Sequence, residues 1–243
     1  MTVFIGCAGW NLPRQYWPSF PAEGSHLHRY AAAFDAVELN SSFYRPHRPQ
    51  TYARWAASVP SGFRFSVKVP KVITHERRLE NCGELLLQFL SECTALGDRL
   101  GCLLVQLPPS LEYSPLIASA FFKTLRRGFD GPVVIEPRHP GWIDAKDLLI
   151  DQRIAQVAAD PPRFESDALP GGWPGLRYWR LHGAPKIYYS GYSDETLTAL
   201  AAQLLAADTA DTANWCIFDN TAAGAAVGDA LRLKLLTAVP GVR

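Results

Sequence analysis

The chain contains no run of about 18 apolar residues, so it offers no helix long enough to cross a bilayer. It also lacks an excess of one charge. Its 24 Lys and Arg stand against 23 Asp and Glu, a net charge of +1, and this excludes the global basic field that dominates nonspecific DNA binding. Cys7, Cys82, Cys93, Cys102 and Cys216 form no CxxC pair, so the signature of a structural zinc site is missing. Five scattered cysteines in a chain of 243 residues read as reduced thiols. Neither GxGxxG nor a Walker A sequence occurs, which removes the two best-known phosphate-cradling loops. HExxH is absent as well. No basic segment followed by a long apolar run opens the chain, so the expectation is a cytoplasmic protein without a signal peptide. No low-complexity linker or Pro/Gly cluster marks a boundary, and residues 1–243 are read as one domain.

At 48% hydrophobic and 19% charged, the chain can bury an ordinary core. Strand-like runs start near Val3, Ala36, Arg64, Gly101, Val133, Gln156, Arg177 and Trp215. Helical patterns lie between them. Ser25 is placed to cap a helix through Leu27, Tyr30 and Phe34, and Pro49 and Ser114-Pro115 each open another. Leu85 to Leu100 reads as the longest helix, with Leu86, Phe89, Leu90, Cys93 and Leu96 at helical spacing. Later helices carry Leu197, Leu200, Leu204 and Leu205, and then Ala226 through Leu236. Strand–helix repetition over this length predicts an α/β fold, a closed (β/α)8 TIM barrel, with an open doubly wound sheet as the alternative. Pro161-Pro162 and Pro170-Gly171-Gly172 bracket a loop expected to decorate the barrel mouth.

The strands end in polar residues, and a two-residue step keeps these on one face. Glu38 and Asn40, Ser66 and Lys68, Glu136 and Arg138, and Arg180 and His182 are such pairs. In a closed parallel barrel they converge at the C-terminal mouth, where such barrels carry their sites.

Several of these strand ends sit inside recognisable motifs. They are Gly6-Cys7-Ala8-Gly9-Trp10, Val37-Glu38-Leu39-Asn40 with Phe43-Tyr44, and Phe65-Ser66-Val67-Lys68 with Ile73-Thr74-His75. Gln106-Leu107-Pro108-Pro109, Ile135-Glu136-Pro137-Arg138-His139 with Trp142, and Arg180-Leu181-His182-Gly183 follow in order. This series resembles the YecE-like TIM-barrel family (domain of unknown function 72). The resemblance implies the barrel and a pocket at its mouth, and it brings no activity with it. Members often carry two asparagines after the last strand, where this chain has Asp219-Asn220. The family has also been compared with endonuclease IV-type barrels, a likeness at the level of fold.

The expected catalytic set is Glu136, Lys68 and His182. The expected substrate-binding set is Glu38, Asn40, Arg138, Arg180, His75, Gln106, Asp160, Asp219, Asn220, Tyr44 and Trp142. Arg138 and Arg180 can each grip a phosphate or carboxylate with two parallel bonds, and Lys68 adds a point charge. Against this stands a self-neutralising ion network of the same residues. A Schiff-base role for Lys68 requires a depressed pKa. For Glu136, burial raises the pKa and a neighbouring cation lowers it; acid–base catalyst and orienter of Arg138 or Lys68 are both open. His75, His139 and His182 with nearby acids suggest Zn or Mn hydrolysis only as an alternative, and no metal or cofactor is assigned. Trp10, Tyr16, Trp17, Phe43, Tyr44, Trp142, Tyr188, Tyr189 and Tyr192 are expected near the post-strand loops, as a stacking rim or as loop packing. Arg45, His47 and Arg48 beside Phe43 and Tyr44 favour a nucleotide or nucleic acid over a neutral sugar, and Lys71, Arg77 and Arg78 can extend that surface. Ser41 and Ser42 show no His-Asp partner pattern. The expected partner is an anionic small molecule or a nucleic acid. The function classes are an enzyme on an anionic, phosphorylated or nucleic-acid-derived substrate, a non-catalytic nucleotide-binding barrel, or a metal-dependent phosphoesterase.

Overall fold

In the computed structural model, which describes residues 3–207 and 212–238, eight parallel strands close into a barrel. The first six are β1 (Val3–Ala8), β2 (Ala36–Leu39), β3 (Arg64–Lys68), β4 (Leu100–Gln106), β5 (Val133–Glu136) and β6 (Ile154–Asp160). A two-residue strand, β7 (Gly171–Gly172), precedes β8 (Leu176–Leu181) and β9 (Ala213–Phe218). β9 returns to pair with β1, β5 pairs with β6, and β6 pairs with β8, so the ring has no open edge. The open-sheet alternative is thereby removed.

The helices are α1 (His26–Ala31), α2 (Ser41–Tyr44), α3 (Pro49–Ala57), α4 (Gly83–Cys93), α5 (Pro115–Gly128), α6 (Lys146–Asp151), α7 (Asp194–Ala206) and α8 (Ala225–Ala238). Ser25 caps α1 by accepting from the His28 amide at 3.2 Å, and proline opens α3 and α5 where a missing N–H costs nothing. Phe34 lies beyond the end of α1 but is buried in the core.

Two expectations change. The segment Leu85–Leu100 is not one helix: α4 ends at Cys93, and a 3-10 segment, Thr94–Arg99, follows with Gly97 at φ 54°. That left-handed backbone suits glycine and breaks the helical path. The loop after β6 also does not stay at the mouth. Gly171 and Gly172 pair antiparallel with Gln156 and Ala155, at the start of β6, so the chain runs back along the outside of the barrel. Among the described residues this connection holds a single 3-10 turn, Glu165–Asp167, and no α-helix.

Alternation along the strands builds two cores. Inside the barrel, Phe4, Ala36, Cys102, Leu104, Val134, Val157, Tyr178, Trp215 and Ile217 pack together, with Tyr178 stacked on Trp215 at 5.8 Å between centroids. Outside, the neighbours one step along each strand, such as Val37, Val67, Leu103 and Ile135, face the helices. All five cysteines are free and buried. Burial pushes the Cys7, Cys93 and Cys102 thiols up to about 12. No helix among the described residues is long and apolar enough to cross a membrane.

The β1–β2 seam explains Gly6. The Tyr30 hydroxyl enters the ladder, accepting from the Cys7 amide at 2.7 Å and donating to the Ala36 carbonyl at 3.0 Å. A Cβ on Gly6 would collide with that carbonyl and crowd the hydroxyl. Two strands cannot move apart inside a closed ring. Gly6→Ala is therefore expected to cost about 3 kcal/mol, the upper range for overpacking. A urea titration checks this, and a cost near zero would mean that the seam adjusts.

Candidate functional site

The interior alternation that ends in Cys102, Leu104 and Tyr178 continues upward into charge. Lys68 closes β3, Gln106 closes β4 and Glu136 closes β5, while Glu38 and Arg180 each lie one residue before the end of their strands, β2 and β8. All are buried. Arg138, His182 and Asp219 follow their strands by one or two residues and form the next layer up.

Arg180 is the hub. Its Nε donates to Glu38 Oε2 at 2.9 Å and its Nη2 to Glu38 Oε1 at 2.6 Å. Nη1 donates to Glu136 Oε2 at 2.8 Å, and Nη2 lies 3.0 Å from Asp219 Oδ2. The side chain is 1% exposed. The expectation of a free fork for a ligand meets a guanidinium whose three nitrogens already face carboxylates. Three opposing acids hold its pKa well above the ordinary value although burial works against the charge.

Glu136 is also saturated. Oε1 accepts from Arg138 Nη2 at 2.6 Å and Nε at 3.1 Å, and Oε2 accepts from Arg180 and from Gln106 Nε2 at 2.9 Å. Burial would raise its pKa, but Arg180, His182 and Arg138 together win and hold it well below the usual carboxylate range. A carboxylate with these bonds orients its neighbours and is a weak base. Glu38 accepts from the Tyr178 hydroxyl at 2.9 Å, which is also 3.0 Å from Ser66 Oγ. Tyr178 is absent from the expected set, although the step Tyr178, Arg180, His182 carries the signal for it.

His182 sits between two acids, Nε2 2.9 Å from Glu136 Oε1 and Nδ1 3.0 Å from Asp219 Oδ2. Burial lowers its pKa, yet the two carboxylates outweigh burial and raise it above 6.5. Both ring nitrogens then donate, so the 3.3 Å approach of Arg138 Nη2 to His182 Nε2 is two donors sharing Glu136 and not a hydrogen bond. The Tyr188 ring stands edge-on to His182 at 5.8 Å.

Lys68 differs from every other ion here. Its Nζ lies 4.2 Å from the centroid of the Phe43 ring and makes no hydrogen bond or ion pair among the described residues. The residue is only 7% exposed. Burial, and Arg180 after it, lower its pKa to about 8 despite the pull of Glu38, Glu136 and Asp219.

Other expected residues lie apart from this cluster. Asp160 pairs with Leu181 in the ladder, which puts it in the outward phase, and it lines an outer groove with Trp179 and Leu181. Asn220 turns to α8, donating to Asp229 Oδ2 at 2.7 Å and to the Ser190 carbonyl at 2.9 Å. Trp142 is 3% exposed and donates to the Leu111 carbonyl at 2.9 Å, so it packs a loop and forms no rim. Tyr192 is buried too, whereas Trp17, Tyr188 and Tyr189 are exposed. The histidines do not converge. His75 is held 2.8 Å from Thr74 Oγ1 and edge-on to Phe43, and His139 caps the turn at Pro140. Among the described residues no three His, Cys, Asp or Glu are grouped to hold a metal.

Asn40 lies beside the cluster, lining a cavity of about 380 Å³ with Glu38, Trp10 and Asn11. Tyr44 is 78% exposed. With Phe43, Arg45, Lys71 and Glu76 it borders a cavity of about 520 Å³, whose lining includes Phe43 and none of the ions of the network.

The same barrel occurs in known proteins. A DUF72 family protein from Enterococcus faecalis superposes with a TM-score of 0.81 at 22% identity, covering 98% of this chain and 96% of that one. A DUF72 family protein from Thermotoga maritima gives 0.78 at 23%, covering 97% and 99%. In sequence, UPF0759 protein YecE of Escherichia coli (strain K12) is 32% identical over 139 residues, 57% of this chain and 49% of YecE. The chain thus spans about half the length of the curated relatives it matches. The family model described as "Protein of unknown function DUF72" matches residues 4–241, and the chain belongs to that family.

Proposed function

We propose that the barrel mouth binds an anionic small molecule, phosphate- or carboxylate-bearing, through Lys68, with His182 as the proton donor beside it. One observation carries this reading. Every other charged side chain of the cluster has its counterion within the protein, and Lys68 has none among the described residues. An uncompensated buried charge is costly, and an incoming anion removes that cost. Arg180 and Glu136 then act as the bed that fixes the site and not as ligand contacts. Arg138, with Nη1 uncommitted in the described structure, is the second cation available to the ligand.

Calorimetric titration with pyrophosphate, using glycerol as the neutral control, tests this. Wild type is expected to bind pyrophosphate and not glycerol. Lys68→Met is expected to weaken binding about tenfold or more, since a charge-assisted contact is worth about 1.5–3 kcal/mol. Binding is full while the amine is protonated and falls as pH rises through about 8. Equal affinities for the two proteins, or a flat pH profile from 7 to 9, would remove Lys68 from the site.

A second reading rests on the cavity beside Tyr44. An exposed ring next to Arg45 and Lys71 suits a base stacked with its phosphate nearby, although Lys71 already pairs with Glu76 at 3.5 Å. Tighter binding of a nucleoside monophosphate than of phosphate, lost in Tyr44→Ala, is the result that favours it.

A further inference from the structure

Two features separate Lys68 from a simple anion clamp. Its amine is buried without an acceptor, and the surface it touches is an aromatic face. Clamping lysines are usually solvated, and pair with carboxylates while they wait. Here the acids that could pair with it are committed elsewhere: Glu38 to Arg180 and Tyr178, Glu136 to Arg180, Arg138, Gln106 and His182, and Asp219 to Arg180 and His182. The amine nitrogen is therefore left unengaged at the one end of the barrel where a substrate can enter.

We propose that Lys68 Nζ is a nucleophile that forms an imine with the carbonyl carbon of an anionic aldehyde or ketone held in the mouth. This rests on the anion-site reading above and adds the carbonyl to the substrate class.

The chemistry balances without an oxidant. The nitrogen lone pair attacks the carbonyl carbon, a C–N bond forms, and the C=O π pair moves to oxygen. The two amine protons and that oxygen leave as water, and one further proton taken up keeps the imine protonated. His182, held as a double donor between Glu136 and Asp219, is a proton source in the same mouth. The amine must be unprotonated to attack. With a pKa of about 8, roughly a tenth of it is free at pH 7, against well under a thousandth for an ordinary lysine. Phe43 shields one side of the group, and Lys68→Arg would keep a cation there while removing the nucleophile.

The test uses glyoxylate, an aldehyde bearing a carboxylate, with cyanoborohydride to trap the imine, followed by peptide mass mapping. The chain has six lysines: Lys68, Lys71, Lys123, Lys146, Lys186 and Lys234. At pH 7 Lys68 is expected to be labelled at least tenfold faster than the other five. Its labelling rate is expected to rise with pH to a plateau just above 8, while the others keep rising beyond 9. Added pyrophosphate is expected to slow labelling at Lys68 alone, and Lys68→Arg, checked for folding by circular dichroism, is expected to lose that adduct. Uniform slow labelling in a wild-type protein that still binds pyrophosphate overturns the imine and leaves the anion site standing. No labelling preference and no pyrophosphate binding overturns both.

Discussion

Arg180→Met is expected to lower the melting temperature by about 10–15 °C, a loss of roughly 3–5 kcal/mol. Three carboxylates lean on this one guanidinium, and Glu38 and Glu136 are almost wholly buried. Methionine fills much of the volume but leaves Glu38 uncompensated in the barrel interior. Removing an acid as well should return part of the loss, so Arg180→Met with Glu38→Gln is expected to be more stable than Arg180→Met alone. The pH dependence gives an independent reading. In wild type, Glu136 and Asp219 are held below their ordinary values, so their stabilisation is present above those values and is lost as pH falls through the folded ones. In the variant the same groups lose their main cation, burial dominates, and protonation relieves them. Wild type and variant are therefore expected to converge as pH drops from 7 towards 4. Differential calorimetry at several pH values reads both effects, and a variant within about 2 °C of wild type at pH 7 would mean that the network is dispensable.

The strand periodicity placed this cluster because the barrel turns a two-residue step into a single inward face. Glu38, Lys68, Glu136, Arg180 and His182 all obey that step, and so does Tyr178, which could have been added on the same ground. Asp160 and Asn220 show the cost of losing phase by one. Each follows an inward residue, Ala159 or Asp219, and each therefore turns outward. The pairing scheme was not legible at all. Arg180 and Glu38 are 142 positions apart, Arg180 and Glu136 are 44 apart, and nothing local tells which acid reaches which base. Trp142 illustrates a different limit, since a tryptophan in a loop motif looks the same whether it faces a ligand or, as here, the Leu111 carbonyl. The return loop shows a further limit, because Pro170-Gly171-Gly172 reads as the edge of a loop, while the backbone of Gly171 and Gly172 forms a short strand against the start of β6.

Lys68→Met is expected to show the opposite sign from Arg180→Met: at pH 7 the variant should be the more stable protein. Wild type keeps a charge in a place that lowers its pKa from 10.5 to about 8. That difference corresponds to a cost of about 3 kcal/mol, carried by the folded state. The sign follows from proton binding. Between about 8 and the unfolded value the unfolded chain holds the proton that the folded one has released, so wild-type stability rises with pH across this window, and the full cost is felt below it. Methionine has no charge to desolvate and packs well against the Phe43 ring. A gain of about 2 kcal/mol at pH 7, or roughly 4–8 °C, is expected, shrinking towards zero as pH approaches 10. Saturating pyrophosphate reverses the order, because a ligand that binds only the folded wild type adds stability as RT ln(1 + [L]/Kd) and the variant has lost its cation. Thermal unfolding with and without pyrophosphate at pH 7 and pH 10 separates the terms. A variant that is destabilised at pH 7, or that gains as much as wild type from pyrophosphate, would show that the Lys68 charge is paired within the fold and is not held for a ligand.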